Sequence, residues 1–193
     1  FNLCFCCDEC IHECKVSEKM ANVMKAFKYV FVLASATDIE RLASIKNASS
    51  EAKKTLYVCS NFMASTMKFF TERESSLSRG LFNFSPRMLR LNGLDRIKKK
   101  GFVLIAGTSQ ISRVKKLLKE LPIEETLLIY SSWEGYYTIP EQIAANPGYK
   151  NFRELFYNIV DIHTSGHADK TTIKRVIETI NSKEVIVIHK EGD

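Results

Sequence analysis

The sequence predicts an α/β fold, with a mostly parallel sheet flanked by helices. Continuous apolar runs such as Tyr29 to Ser35 (YVFVLAS) read as strands covered on both faces. Between these runs lie stretches with apolar residues three and four apart, the period of a helix that buries one face. Polar side chains collect where the runs end, the edge at which open α/β sheets place their sites. Strand and helix alternate in this way along most of the chain, which favours parallel pairing over hairpins.

Taken in order, Tyr29 to Ser35 is the first strand. Thr37 then opens a helix with Ile39, Leu42, Ala43 and Ile45 on one face. Leu56 to Ser60 is a short strand, Phe62 to Phe70 a second helix, and the polar, serine-rich Glu72 to Ser85 a surface loop. Ser85-Pro86 offers an N-cap followed by proline at a first helical position, so a short helix is expected from Arg87 to about Leu94. Phe102 to Ala106 (FVLIA) is a buried strand, and the helix after it carries Ile111, Val114, Leu117, Leu118 and Leu121. Thr126 to Ser131 is the next strand, and Pro140 to Gly148 an irregular or short helical connection. Asn158 to His163 and Val185 to His189 are the last strands, flanking a helix with Ile173, Val176, Ile177 and Ile180 on one side. A boundary is expected near Tyr149 to Glu154.

A chain of 193 residues, 45% hydrophobic and 26% charged, can bury a substantial core. No apolar run approaches the ~20 residues of a membrane-spanning helix. The N-terminus lacks the basic-then-apolar order of a secretory signal. The expected location is therefore cytoplasmic, with no membrane partner. Net charge is +6, and lysines gather at Lys53–Lys54, at Lys98–Lys99–Lys100 and at Lys115, Lys116 and Lys119. Such a surface attracts polyanions, nucleic acid among them, although solvated helix faces give the same pattern. The first residue is Phe1 rather than Met, so a fragment, a processed chain or an incomplete reading frame is expected. Cys4, Cys6, Cys7, Cys10 and Cys14 crowd the first fourteen residues with His12 among them. Cys7-x-x-Cys10 has a zinc half-site spacing, but no second spaced pair is present, and disulfides fit a cytosolic chain poorly. Residues 1–19 are left as an unassigned cysteine-rich segment. Cys59 reads as a buried strand-end thiol.

Candidate site residues stand at strand ends: Ser35, Thr37, Asp38 and Glu40; Thr108 and Ser109; Ser131 and Ser132; His163 to His167; and His189. The sharpest signal is His163-Thr164-Ser165-Gly166-His167-Ala168-Asp169. Imidazoles ligate metals, transfer protons near neutral pH and bind phosphate oxygens. Two of them four apart around a glycine suit a tight loop whose backbone approaches a ligand, with Ser165 adding a hydroxyl. The same segment also reads as an N-cap loop before the next helix.

This segment, with the helix after it and the strand ending Ile188-His189-Lys190-Glu191, resembles the terminal motifs of β-CASP metallo-hydrolases, such as RNase J and the nuclease of pre-mRNA cleavage and polyadenylation. That family's pattern is His-x-Ser-Gly-His-Ala, a helix, and an apolar strand ending Val-His-Gly-Glu. Lys190 replaces the usual glycine, which puts in doubt the turn after His189. The resemblance implies that residues 20–150 form a β-CASP-like domain. It further implies that residues 151–193 are the C-terminal portion of a metallo-β-lactamase αββα sandwich, the RNA-specificity motif. It implies His167 as general acid or phosphate contact, His189 as a zinc ligand and His163 facing the scissile phosphate. Glu40, or Asp38 in its place, would be the acidic residue holding His167. A capping box, Thr37-x-x-Glu40, accounts for Glu40 equally well. Ser131-Ser132-Trp133-Glu134-Gly135-Tyr136 also resembles the family, with Ser131 as a phosphate contact and Trp133 as a base platform, core or lid residue.

The implied activity is zinc-dependent hydrolysis of phosphodiester bonds, in a ribonuclease of RNA processing or decay, with RNA as substrate and DNA less favoured. Two zinc ions serve the intact enzyme. Their N-terminal His-x-His-x-Asp-His motif is absent here, and the chain has only four histidines. The chain alone is therefore expected to be inactive, its partners being the missing metallo-β-lactamase half and, as one assembly of the intact protein, a homodimer. The rival expectation is a non-catalytic basic module that grips nucleic acid or a protein partner. A nucleotide site is weak, since neither Gly-x-Gly-x-x-Gly nor a P-loop occurs.

Overall fold

Alternation of side chains across a strand decides how this chain layers. The computed structural model describes residues 13–73, 75–76, 80–90, 94–164, 170–181 and 183–186. Five strands, β1 (Tyr29–Leu33), β2 (Leu56–Val58), β3 (Phe102–Ala106), β4 (Thr126–Tyr130) and β5 (Asn158–Asp161), pair in the order β2-β3-β1-β4-β5. Every pairing is parallel, as expected from the apolar runs. On β1, Val30 and Val32 face one helix layer, while Tyr29, Phe31 and Leu33 face the other. The three central strands have no polar face because helices cover both sides.

The first layer holds α1 (Glu13–Ala26), α2 (Ile39–Glu51) and α3 (Asn61–Glu72). Their Val16, Met20, Met24, Leu42, Ile45, Met63 and Met67 are buried against Val30, Val32, Val103, Ile105 and Ile129. The second layer holds α4 (Leu94–Lys100), α5 (Ile111–Leu118) and α8 (Pro147–Arg153). There Val114, Leu117 and Phe152 meet Phe31, Phe102, Leu104 and Leu128. Each fully buried side chain of this kind contributes roughly 1.5–3 kcal/mol. Helix α1 precedes the first expected element and crosses the residue-19 line. Its Val16, Met20 and Met24 stand four apart, which places them on one face.

Two short helices, α6 (Gly135–Thr138) and α7 (Pro140–Ala145), lead into α8. Pro140 and Pro147 each stand in the first turn of a helix, where the missing N–H costs no bond. Helix α8 occupies the region 149–153 where the boundary is expected, and β5 follows it. Asp161 at the end of β5 accepts from Tyr137 Oη and from Arg153 Nη2, both at 3.0 Å, tying β5 to α6 and α8. Gly101 is required where it stands. Its φ is +70°, and an added Cβ would come 2.4 Å from the Lys28 carbonyl oxygen, which receives the Phe102 N–H at the start of β3.

The helix expected from Arg87 to about Leu94 is not formed over residues 87–90. Residues 87–89 instead run beside β2: Val58 donates to the Arg87 carbonyl at 2.9 Å and Leu89 to the Val58 carbonyl at 3.2 Å. A three-residue edge strand has backbone groups to satisfy, and this pairing satisfies them. Proline tolerates extended backbone as well as a first helical turn, so Pro86 does not decide between them. Val185 and Ile186, expected to begin the last strand, have no regular structure, and residues 187–193 lie outside the described residues. The cysteines at positions 4, 6, 7 and 10, with His12, also lie outside them, and Cys59 is buried as expected. Among the described residues no helix is long and apolar enough to cross a membrane.

Candidate functional site at the strand ends

The last ladder row joins Ala106, Leu33, Tyr130 and Asp161 across four strands. Beyond it Ser131 donates its backbone N–H to the Leu33 carbonyl, and Ile162 to the Tyr130 carbonyl, each at 3.0 Å. The ends of β1, β4 and β5 are thus level. The chain leaves β1 toward β2 and leaves β4 toward β5, in opposite directions. This divergence opens the crevice in which such sheets bind ligands.

Arg41 fills the floor of that crevice. It lies in the first turn of α2 and is 1% exposed. Its Nη1 donates to Ser131 Oγ at 2.6 Å and meets His163 Nδ1 at 3.1 Å. Its Nη2 donates to the Thr164 carbonyl at 3.2 Å. One guanidinium therefore joins residues 90 to 123 positions away along the chain. A planar fork of fixed donors can do this, whereas a single ammonium cannot. The guanidinium has no lone pair to offer, so His163 Nδ1 must accept. That fixes the neutral ring as the Nε2–H tautomer.

Asp38 is the N-cap of α2, its Oδ1 accepting from the Arg41 backbone N–H at 3.1 Å. The Thr37-x-x-Glu40 capping box therefore does not form as expected. The cap falls one residue later, which makes Arg41 the third helical residue. Glu40 lies half-buried in the same first turn, where a carboxylate is favoured by the helix dipole. Ser35 Oγ and Thr37 Oγ1 are 2.8 Å apart at the exposed lip.

Other strand-end residues form a second group. Ser35, Ser60, Thr108, Ser109 and Gln110, with Phe62 and Tyr149, line a pocket of ≈ 250 Å³ over β1, β2 and β3. The expected strand-end residues therefore divide between two places. Trp133 is 40% exposed, its ring lying on Gly135 and edge-on to Tyr136 at 5.5 Å. An added Cβ at Gly135 would come within 2.5 Å of that ring.

Ser165, His167 and His189 lie outside the described residues. Among the described residues no group of three or more His, Cys, Asp and Glu side chains can hold a metal ion. The one described histidine ring has its Nδ1 taken by Arg41. These residues alone do not build a zinc centre.

Arg41 itself is not among the expected site residues. It nonetheless leaves a signal, since Arg41, Ile45 and Ala48 share a helix face at spacings of four and three, a charged group in an apolar stripe.

No curated protein matches the chain. Residues 156–192, spanning β5, His163, the following helix and His189, match the family described as the Zn-dependent metallo-hydrolase RNA specificity domain. That match supports reading the chain as a C-terminal part of a metallo-β-lactamase-family hydrolase that acts on RNA.

Proposed function

We propose that this chain is the substrate-side portion of a zinc-dependent ribonuclease of the β-CASP type, acting in RNA processing or decay. The observation that carries the reading is the junction of Arg41, Ser131 and His163 at the sheet crevice, where β1 and β4 meet the segment matched to the RNA specificity domain. In this reading the Nε2–H of His163 faces a phosphate oxygen. Arg41 and Ser131 are positioning residues that fix the ring and the level of the β5 end. Ser165 adds a hydroxyl to the same phosphate, and His167 acts as general acid or phosphate contact, held by Glu40. Asp38, as the cap of α2, takes the supporting part. His189 supplies one zinc ligand, the others coming from a metallo-β-lactamase half. Residues 20–150 then form the β-CASP-like domain and residues 151–193 the returning portion of the sandwich.

The test is cleavage of labelled single-stranded RNA with zinc or manganese added. The chain alone is compared with the chain joined to a metallo-β-lactamase N-terminal half. Activity only in the joined protein, lost in His167→Ala and in His189→Ala, is the expected result. Salt-sensitive RNA binding without cleavage in either form would overturn it in favour of a non-catalytic binding module.

A further inference from the structure

A second cationic feature lies at the opposite end of α2. Helix α2 has 13 residues, so its two ends are roughly 20 Å apart. At its C-terminus the chain turns sharply: Lys53 adopts φ 55°, Lys53 donates to the Ser50 carbonyl at 3.0 Å, and Lys54 donates to the Ser49 carbonyl at 2.9 Å. This is the left-handed helix stop that glycine usually occupies. It turns Lys54 back beneath the helix. A pocket of ≈ 280 Å³ opens there, between the end of α2, the start of β2 and the extended segment 83–87.

Lys46, Lys54 and Arg87 line this pocket, and among the described residues no carboxylate does. None of the three forms an ion pair among the described residues. Lys46 Nζ donates to the Gly80 carbonyl at 3.3 Å and Lys54 Nζ to the Lys28 carbonyl at 3.4 Å, both long contacts. Burial, with the nearby Lys28 ammonium, lowers the pKa of Lys54, so its charge is poorly compensated. The hydroxyls of Ser49 and Ser50 donate back to the Lys46 carbonyl, leaving recognition to the cations. Met67 and Phe84 contribute an apolar floor, and Phe84 is pinned by its N–H to Thr71 Oγ1 at 2.9 Å.

We propose that this pocket binds a phosphate group, gripped by Lys46, Lys54 and Arg87, at a site separate from the strand-end crevice. The inference does not rest on the hydrolase reading. The phosphate has two chemical sources, the backbone of an RNA strand or a free phosphate species.

The test titrates the chain with pyrophosphate and, separately, with a labelled single-stranded RNA. It follows the backbone amides of Thr55, Ser85 and Arg87 by NMR and RNA affinity by fluorescence anisotropy. Lys46→Gln/Lys54→Gln/Arg87→Gln is compared with Lys115→Gln/Lys116→Gln/Lys119→Gln, which removes the same charge from α5 and its C-cap. Shifts at those amides that vanish in the pocket variant are expected. With RNA as the source, the pocket variant also binds more than about tenfold more weakly than the α5 variant, and its salt slope falls by about 2. With a free phosphate species as the source, pyrophosphate shifts the amides while the two variants bind RNA alike. The exposed single change Arg87→Glu, which preserves the fold, weakens whichever titrant binds by at least about threefold. Absence of amide shifts with both titrants overturns the proposal.

Discussion

Helices α5 and α9 (Lys170–Ile180) carry the same kind of sequence pattern and meet opposite fates. Each has aliphatic residues three and four apart. In α5, Val114 and Leu117 are wholly buried against Phe31, Phe102 and Leu128. In α9, Val176 is 44% and Ile180 67% exposed. The difference lies in the strand that precedes each helix. Helix α5 returns from β3, inside the sheet, and packs over β3 and β1, whereas α9 leaves β5, the outermost strand among the described residues. Amphipathic spacing therefore reports which face of a helix wants cover, and the topology decides whether this sheet supplies it.

The largest expected effect tests the buried side of that comparison. Leu117→Ala should destabilise by about 2–5 kcal/mol in denaturant unfolding, through lost burial and the cavity left behind. A cost under about 1 kcal/mol would mean that α5 packs more loosely than its burial implies. Arg41→Lys should cost about 2 kcal/mol, because an ammonium cannot replace the fork to Ser131, His163 and Thr164. The ring 15N signals of His163 check the same interaction: the native protein should show the Nε2–H tautomer, and the lysine variant a mixture.

Gly101→Ala should cost about 1–3 kcal/mol, since a side chain there is both strained and driven against the Lys28 carbonyl. Thermal unfolding reads it, and an unchanged midpoint would deny the close approach at the start of β3. The smallest effect tests the exposed helix. Ile180→Ser should change the stability of this chain by no more than about 0.5 kcal/mol. A loss as large as that of Leu117→Ala would show that α9 is covered in solution.

The site is legible in part, for physical reasons that differ residue by residue. His163 and Ser131 stand out because the ends of parallel strands converge on one edge of the sheet. Asp38 and Glu40 stand out as a pair, but their roles are not separable in the sequence. The local pattern offers Thr37 as the cap with Glu40 in a capping box, whereas the Asp38 contact to the Arg41 N–H shows that α2 begins one residue later. Arg41 escapes notice because a single arginine in a helix usually projects into water. Only the crevice floor, built by residues 90 positions and more away, makes it a buried donor. The short helix expected after Pro86 fails for a similar reason, since the demand of β2 for a neighbour cannot be seen from residues 85–94 alone.

By itself the sequence determined the α/β class, the strands β1 to β5 and the apolar faces of α2 and α5. These follow from local periodicity and burial, and every residue that sets them lies within one element. It also determined the His163 to His189 motif, whose spacing is covalent. The tertiary structure alone decided the strand order β2-β3-β1-β4-β5 and hence the crevice between β1 and β4. It likewise decided the tautomer that Arg41 imposes on His163 and the grouping of Lys46, Lys54 and Arg87 around one pocket. Those features join residues far apart in the chain, so their energies exist only once the helices have packed on the sheet.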